Sequence, residues 1–478
     1  MSRYSVASIS VGELITQADA AATVSNASVL ITGITQDSRA VEAGDLFCCV
    51  RGENFDGHQF AMQAVAAGAS ALLVDNAVTG IPDSVAVITV ANVRAVVGKI
   101  ASAAFGHPSR SLTMVGITGT NGKTSTAAMV ASILRASGKS TEVLGTLSNV
   151  RTTPEAIDLQ AFLRRCVDEK ATHVVMEVSS HALAQDRVSG VMFDVAIFTN
   201  ITRDHLDYHK TEEAYFAAKA KLFAPELARR GVINSDDPHG RLLLDVAPIE
   251  MVSFAHADAT DVTIRVDNVS FRWRGINVSL PMGGAFSLMN ALAALTACSE
   301  LGIDEDSLVD GCAQLAQIPG RFESVSNTYG IGVVVDYAHT PDGLREVISS
   351  ARALCMGRLI VVFGCGGDRD TGKRPLMGAA AQEADIVFVT SDNPRSEDPM
   401  AIINAIVSGV TKSTTDVRID VDRAQAIASA ILEARRDDIV VIAGKGHEAT
   451  QEVAGVHHPF NDVDVARSAL SQKKGSES

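Results

Sequence analysis

The absences in this sequence narrow it first. None of its seven cysteines stands at a CxxC or CxxxC spacing, Cys48 and Cys49 being merely adjacent, so neither a disulfide framework nor a zinc site is suggested. There is no basic excess: 41 Lys+Arg stand against 56 Asp+Glu, a net charge of −15. That balance argues against nucleic acid or an anionic membrane as the partner, and any anionic ligand must be met by a local basic cluster. No apolar run approaches the length of a membrane span, and the opening MSRYSVASIS has no apolar h-region, so a reduced, cytoplasmic protein is expected. Apolar material is plentiful, at 46% of 478 residues with 20% charged, enough for real cores and for about three domains. The polar tail Ser471–Ser478 is expected to be disordered.

One stretch organises the rest. Met114–Thr126 reads MVGITGTNGKTST. The apolar run Leu112–Ile117 predicts a buried parallel strand, and the alanine-rich Thr126–Ala136 a helix closed by Gly138. Between them come Gly119 and Gly122, then Lys123, Thr124 and Ser125. This order holds a nucleoside triphosphate: glycines let backbone N–H groups approach the phosphates, and the helix N-terminus adds positive potential. Gly119, Thr120, Asn121, Gly122, Lys123, Thr124 and Ser125 are therefore expected to hold the triphosphate. Lys123 would reach the β- and γ-phosphates and Thr124 would offer its hydroxyl to Mg²⁺. One glycine departs from the general P-loop spacing, falling at Gly116 where the pattern counts back to Ile117.

Ahead of this stretch, Val29–Thr32, Leu46–Val50, Ala69–Asp75 and Val85–Val90 are short apolar runs, with a helix-like segment at His58–Ala67. Asp37, Ser38 and Arg39 form a polar loop, and Gly106–Ser109 reads as a linker. Behind it, His173–Val178 is a buried-strand candidate with Glu177 near the C-terminal end, where a parallel sheet presents its ligand and an acid beside a P-loop suits Mg²⁺. Ser179, Ser180 and His181 follow. A third strand, Phe193–Thr199, runs into a loop bearing Arg203, Asp204, His205, Asp207 and His209. Glu212–Phe223 is an evident helix whose Lys219 and Lys221 the pattern alone leaves open. Gly284–Ala294 turns into a small-residue helix carrying the amide Asn290.

After a break at Ile318–Arg321, strand and helix alternate. Val333–Val335, Leu359–Phe363, Ile386–Thr390 and Ile439–Ala443 end in DYAHTPDGL, GCGGDRD, SDNPR and GKGHE. Helices are expected near Gly343–Leu354, Leu376–Glu383, Pro399–Val407 and Asp422–Ala434. Such repetition implies a parallel, doubly wound sheet whose glycine- and charge-rich turns line one rim. Gly364–Gly367 is not a dinucleotide fingerprint, because Asp368 and Arg369 stand where a helix should open.

Taken in order, these motifs resemble those of the Mur ligases. DSR with AGDLF, GITGTNGKTS, TTPE, MEVSSHAL, TNITRDHLDYH, YFAAKAKLF, GRFE, DYAHTPD, GDRD with KRP, SDNPRSEDP and GKGHE span nearly the whole chain. They are most similar to the branch that extends UDP-N-acetylmuramoyl-L-alanyl-D-glutamate (UDP-MurNAc-L-Ala-D-Glu) with a diamino acid. The resemblance implies an α/β fold in three domains. Residues 1–108 would form an N-terminal α/β domain binding the UDP sugar. Residues 109–329 would form a central P-loop-type ATPase domain with a parallel sheet. Residues 330–478 would form a Rossmann-like, doubly wound domain carrying the amino acid.

Residue by residue, the resemblance implies that Ser38 and Arg39 contact the uridine diphosphate, while Thr152, Thr153, Ser180, Gln185 and Arg187 hold the muropeptide. Lys123, Glu177, His205 and Lys219 would be catalytic. Thr124, Glu177, His205 and Lys219 would hold Mg²⁺, Lys219 as a carbamate that turns a cation into an anion. Asn290, Arg321, Asp336 and His339 would surround the ATP; Arg369, Asp392, Asn393, Arg395, Gly444 and Glu448 would hold the amino acid. Three positions depart from the family pattern: Arg151 and Ser287 stand where relatives carry asparagine, and Ala449-Thr450 follows Glu448 in place of Asp-Tyr.

The implied reaction is ATP-dependent, ADP-forming amide ligation in peptidoglycan-precursor synthesis. The D-glutamyl γ-carboxylate attacks ATP to give an acyl phosphate, and the amine of meso-diaminopimelate captures it. Arg395 could fork onto the distal carboxylate of meso-diaminopimelate, and a buried arginine left unpaired would penalise lysine, which lacks that group. The alternatives are a lysine-adding ligase, a folylpolyglutamate synthetase-like ligase, against which the DSR loop argues, and a non-catalytic nucleotide-binding protein. The expected partners are the UDP-MurNAc-dipeptide, ATP and meso-diaminopimelate, with no nucleic acid and no membrane span, and a monomer as the working unit.

Overall fold

The computed structural model describes residues 3–52, 55–148, 151–202 and 204–473, less the side chains of residues 206 and 207. Arg203, the Asp207 side chain and the end of the polar tail lie outside the described residues. The chain divides into two compact units, one of residues 1–201, 205–254 and 293–304, the other of residues 202–204, 255–292 and 305–478. Among the described residues no helix is long and apolar enough to cross a membrane, and all seven cysteines are free.

The first unit holds two six-stranded sheets. Strands β1 (Tyr4–Ser10), β2 (Thr23–Val24), β3 (Leu30–Thr35), β4 (Asp45–Cys48), β5 (Ala71–Val74) and β6 (Ala86–Thr89) lie in the order β1-β3-β4-β5-β6-β2. The four expected runs form the parallel centre, and β1 and β2 add antiparallel edges. The expected helix at His58–Ala67 opens instead as a 3₁₀ turn, Gly57–Phe60, because Asp56 accepts the His58 N–H and tightens the entry, and becomes α-helical over Ala61–Ala66.

The second sheet carries β7 (Thr113–Thr118), β8 (Thr141–Leu144), β9 (His173–Glu177), β10 (Val195–Phe198), β11 (Arg230–Asn234) and β12 (Glu250–Phe254). Its order is β12-β11-β10-β7-β9-β8, parallel throughout. All C-terminal strand ends therefore share one rim. The nucleotide helix starts three residues earlier than its alanine-rich pattern suggests, at Lys123, directly after Gly122 at φ +85°. The displaced Gly116 is not part of the loop: it lies inside β7, where a Cβ would stand 2.8 Å from the Phe193 ring. Sheet packing, not phosphate binding, accounts for it.

The second unit opens with an antiparallel sheet that no sequence signal announced, β13 (Ala259–Ile264), β14 (Val269–Trp273) and β15 (Ile276–Leu280). Then come β16 (Glu323–Ser324), β17 (Gly332–Asp336), β18 (Leu359–Phe363), β19 (Ile386–Val389), β20 (Asp416–Ile419) and β21 (Ile439–Ala443), ordered β16-β17-β21-β18-β19-β20. All but β16 run parallel. Val334, Val361 and Val441 face helices Pro341–Leu354, Lys373–Ala381 and Pro399–Val407. Val335, Val362 and Val440 face helices Arg423–Glu433 and Asp462–Lys473. Strands that bury both faces read as unbroken apolar runs, and helices on both sides make the sheet doubly wound, as expected. A hairpin, β22 (Thr450–Val453) and β23 (Val456–Pro459), follows the last parallel strand. Residues 471–473 of the expected disordered tail are instead the last turn of helix Asp462–Lys473, held there because the buried Lys473 ammonium donates to the Ala434 carbonyl at 2.7 Å.

Candidate functional site

In the first unit the rim of the second sheet gathers the nucleotide loop and its neighbours. Gly119 passes so close to Thr199 that a Cβ would stand 1.8 Å from its Oγ1, which leaves glycine as the residue that fits. Asn121 N–H donates to Asn200 Oδ1 at 2.9 Å, tying the loop to the end of β10. Lys123 Nζ donates to the Gly119 and Thr120 carbonyls, both at 2.8 Å. Lys219 Nζ donates to the same Gly119 carbonyl at 2.7 Å, with the side chain 1% exposed and the ammonium 4.4 Å from the centre of the Tyr215 ring. Tyr215 Oη in turn lies 3.0 Å from Thr120 Oγ1. Two lysines thus converge on one carbonyl beside a helix N-terminus, a cationic focus in an acidic chain.

Thr124 Oγ1 donates to Glu177 Oε2 at 3.0 Å, and the Thr146 N–H donates to Glu177 Oε1 at 2.8 Å. The hydroxyl and carboxylate singled out in the sequence therefore meet at the ends of β7 and β9. His205 is exposed at φ +53°, its ring 4.8 Å from His181 and 6.2 Å from Tyr215. His209 Nε2 shares a proton with Ser180 Oγ at 2.9 Å. Among the described residues no three His, Cys, Asp or Glu side chains converge as a ligand group.

A cavity of about 680 Å³ in the same unit brings Ser38 and Arg39 together with Gln185 and Arg187. Arg39 forks onto Asp37 at 2.9 and 2.7 Å and holds that carboxyl down to about 2. Arg187 grips Gln185 Oε1 through Nε and Nη2 at 3.1 and 2.7 Å and the Thr153 carbonyl through Nη1 at 3.1 Å. Thr153 Oγ1 donates to the Glu177 carbonyl at 2.9 Å, and Thr152 Oγ1 lies 3.1 Å from Thr146 Oγ1. The cavity also contains two residues that sequence reasoning passed over. Glu155, N-cap of helix Ala156–Asp168, meets Arg151 at 2.5 Å, Arg187 at 3.0 Å and Arg94 at 3.6 Å. The departure at Arg151 thus supplies a third guanidinium. Burial pushes Arg187 below the ordinary arginine value, Glu155 works against that, and Arg151 and Arg94 add to it. TTPE could have pointed to Glu155; nothing in the sequence marks Arg94.

The second unit holds the remaining candidates. Asp336, at the end of β17, is buried and accepts the Phe322 and Ala338 N–H groups at 2.7 and 2.8 Å. Burial raises its pKa, against the pull of Arg321. The Arg321 guanidinium lies 5.0 Å from the centre of the Tyr337 ring. His339 Nδ1 donates to the Tyr337 carbonyl at 3.0 Å, and its crowded surroundings push the imidazole pKa down although one edge stays exposed. Asn290 is buried in helix Ala285–Glu300, and Ser287, one turn earlier, donates to the Gly283 carbonyl at 2.6 Å.

At the ends of β19 and β21, Asn393 Nδ2 and Lys445 Nζ both donate to Glu448 Oε2 at 2.8 Å. Burial works to raise the Glu448 pKa, but the Lys445 hydrogen bond and charge outweigh it and hold the carboxyl below its usual range. Gly444 packs against the Asp392 carboxylate, where a Cβ would stand 2.6 Å from Oδ2. Arg369 is exposed on the loop after β18. Arg395 is not the unpaired arginine that the specificity argument assumed: Nε donates to Glu452 Oε2 at 3.1 Å and Nη1 to the Gly367 carbonyl at 2.7 Å. Lys445 and Glu452 are the residues that sequence reasoning missed here.

Three family models match the chain: the Mur ligase family catalytic domain over residues 30–105, the Mur ligase middle domain over 117–298 and the Mur ligase glutamate ligase domain over 320–446. A protein of Gloeobacter violaceus named UDP-N-acetylmuramoyl-L-alanyl-D-glutamate--2,6-diaminopimelate ligase is 43% identical over 467 residues, covering 93% of this chain and 94% of its own. A Clostridioides difficile protein of the same name is 41% identical, with coverage of 92% and 95%. A solved structure titled as that ligase superposes with a TM-score of 0.67 at 34% identity, covering 92% of this chain and 95% of its own. A MurF from Acinetobacter baumannii, at 18% identity and a TM-score of 0.66 over 98% of this chain, shares the fold. The motifs, the P-loop geometry and this likeness along nearly the whole length agree: the chain belongs to the Mur ligase family of ATP-dependent amide ligases.

Proposed function

We propose that this chain adds meso-diaminopimelate to the D-glutamyl γ-carboxylate of UDP-MurNAc-L-Ala-D-Glu, forming ADP, phosphate and an amide in the making of peptidoglycan precursors. The observation that carries the reading is the loop constellation, in which Thr124 meets Glu177 while Lys123 and Lys219 share the Gly119 carbonyl. It sits in a chain whose relatives bear the diaminopimelate ligase name over 93% of its length. The working unit is a cytoplasmic monomer, with residues 1–108 for the UDP sugar, 109–329 for ATP and 330–478 for the amino acid.

Gly119 to Ser125 cradle the triphosphate, and Lys123 leaves the two carbonyls it holds to reach the β- and γ-phosphates. The Thr124 hydroxyl and Glu177 carboxylate are hard oxygen donors that fit Mg²⁺, with His205 and a carbamate on Lys219 completing the set. When bound, the metal neutralises charge on the transferring phosphoryl group. Lys219 is placed for carbamylation, its amine buried beside the Gly119 carbonyl of the nucleotide loop. The D-glutamyl γ-carboxylate, steered by Thr152, Thr153, Ser180, Gln185 and Arg187, attacks the γ-phosphate and displaces ADP. Ser38 and Arg39 hold the uridine diphosphate. Asn290, Arg321, Asp336 and His339 hold the nucleotide, Asp336 by ordering its loop. Arg369, Asp392, Asn393, Arg395, Gly444 and Glu448 present the amine, which attacks the acyl phosphate and expels phosphate. Positioning and charge stabilisation dominate.

The test is phosphate release with UDP-MurNAc-L-Ala-D-Glu, ATP and either meso-diaminopimelate or lysine. Release and an amide product with meso-diaminopimelate are expected. A preference for lysine would overturn the substrate, and no release with either would overturn the activity.

A further inference from the structure

The pairing of Arg395 with Glu452 leaves half of each group unused. The two side chains are 23% and 26% exposed. Arg395 spends Nε on Glu452 Oε2 and Nη1 on the Gly367 carbonyl. Among the described residues, neither Arg395 Nη2 nor Glu452 Oε1 has a hydrogen-bond partner. The contrast within the same unit is Arg423 with Asp462, which are fully buried and engage both carboxylate oxygens at 2.8 and 2.7 Å. The Asp462 carboxylate spends both of its oxygens inside the core, whereas the partly exposed Arg395–Glu452 pair retains a donor edge and an acceptor oxygen.

The backbone holds this half-open pair in place. Arg395 sits at φ +53°, a conformation an arginine keeps only when its surroundings impose it. The hairpin imposes it: the Arg395 N–H donates to the Glu452 carbonyl at 3.2 Å, and the Ala454 N–H donates back to the Arg395 carbonyl at 2.7 Å. The Glu452 N–H donates to Asn393 Oδ1 at 2.9 Å, and Gln451 Nε2 to the Asp392 carbonyl at 2.7 Å. Strand β22 is thereby laced along the SDNPR loop, and Glu452 is delivered to Arg395 by the same contacts that order Asn393.

We infer that Glu452 is a specificity-determining residue that reads the distal ammonium of the amino acid while Arg395 reads its distal carboxylate. This rests on the diaminopimelate reading above. The distal carbon of that substrate bears an ammonium and a carboxylate together, so an arginine–glutamate pair with one free donor edge and one free acceptor is its complement. Lysine presents the ammonium alone. A 2-aminopimelate molecule presents the carboxylate alone.

The experiment compares kcat and KM for meso-diaminopimelate and 2-aminopimelate in the full-length enzyme, its Glu452→Gln variant and its Glu452→Asp variant. In the wild type, meso-diaminopimelate is preferred. Glu452→Gln, of the same shape, raises KM for meso-diaminopimelate by about tenfold. It leaves KM for 2-aminopimelate, ATP and the UDP-muropeptide in place, and the preference disappears. Glu452→Asp restores part of it. A purely structural role for the hairpin would shift both amino acids alike, and that result, or no change with either, overturns this inference alone. A wild type inert with meso-diaminopimelate overturns the reading beneath it as well.

Discussion

Glu155 in the first unit and Glu452 in the second each hold arginine, and their surroundings differ. Glu155 is 10% exposed on its side chain and faces three guanidiniums, at 2.5, 3.0 and 3.6 Å. Glu452 is 26% exposed and faces one. In a chain of net charge −15, anionic ligands require places where cations outnumber acids. The Glu155 cluster makes one: a single carboxylate pins three mutually repelling arginines and still leaves a cationic excess, which suits the carboxylates and diphosphate of a UDP-muropeptide. The Glu452 pair is locally neutral, which suits a zwitterion and repels neither of its halves. On the function proposed above, one device would serve two ligand classes, with burial setting which members stay fixed.

The largest effect separates binding from chemistry. Lys219→Ala is expected to lower kcat by about 10³-fold or more without restoration by excess bicarbonate, while calorimetry still detects UDP-muropeptide at the arginine cluster. Full activity in that variant would remove Lys219 from the catalytic set. Glu155→Ala tests the buried member of the comparison. It leaves Arg187, 11% exposed, against Arg151 and Arg94 and is expected to cost about 3 kcal/mol in urea unfolding. Glu452→Gln, at an exposed pair, is expected to change the same unfolding by less than about 0.5 kcal/mol. Equal costs at the two glutamates would erase the distinction. Arg395→Lys keeps the charge but loses the fork, and KM for meso-diaminopimelate is expected to rise about tenfold. The smallest effect belongs to Asp37. Its carboxyl is lowered to about 2 by hydrogen bonds from Arg39, so the pair's contribution to stability is present above the ordinary aspartate range and is lost as pH falls toward 2. With Arg39 83% exposed, solvent screens it. Arg39→Ala should raise the Asp37 titration, followed by NMR, toward the usual value, the residue-39 N–H still donating to the carboxylate.

The doubly wound sheet was legible because β17, β18, β19 and β21 bury both faces and read as apolar runs, each closed by a glycine-rich turn. Strand β1 was not, because it is an edge strand with alternating exposure and small polar residues, although Ser10 and Glu13 after it form a capping box. Strands β13 to β15 were missed for the same reason: each is short and exposed on alternate residues. In the site, residues contiguous in a motif were readable, so Lys123, Thr124 and the DNPR arginine were named from sequence alone. Arg94 reaches Glu155 across 61 positions of chain, and Glu452 reaches Arg395 across 57. Such pairs exist only once the strands have placed them, and no local pattern encodes them. The expectation that lysine would strand Arg395 failed on that point, since Glu452 already meets it.

The proposed ligation requires a carboxylate that takes a phosphoryl group before the amine attacks it. The direct measurement is to label the D-glutamyl γ-carboxylate of UDP-MurNAc-L-Ala-D-Glu with ¹⁸O, run the reaction with ATP and meso-diaminopimelate, and weigh the released phosphate by mass spectrometry. An acyl phosphate transfers one labelled oxygen to each phosphate. Unlabelled phosphate, released together with the amide product, would contradict it.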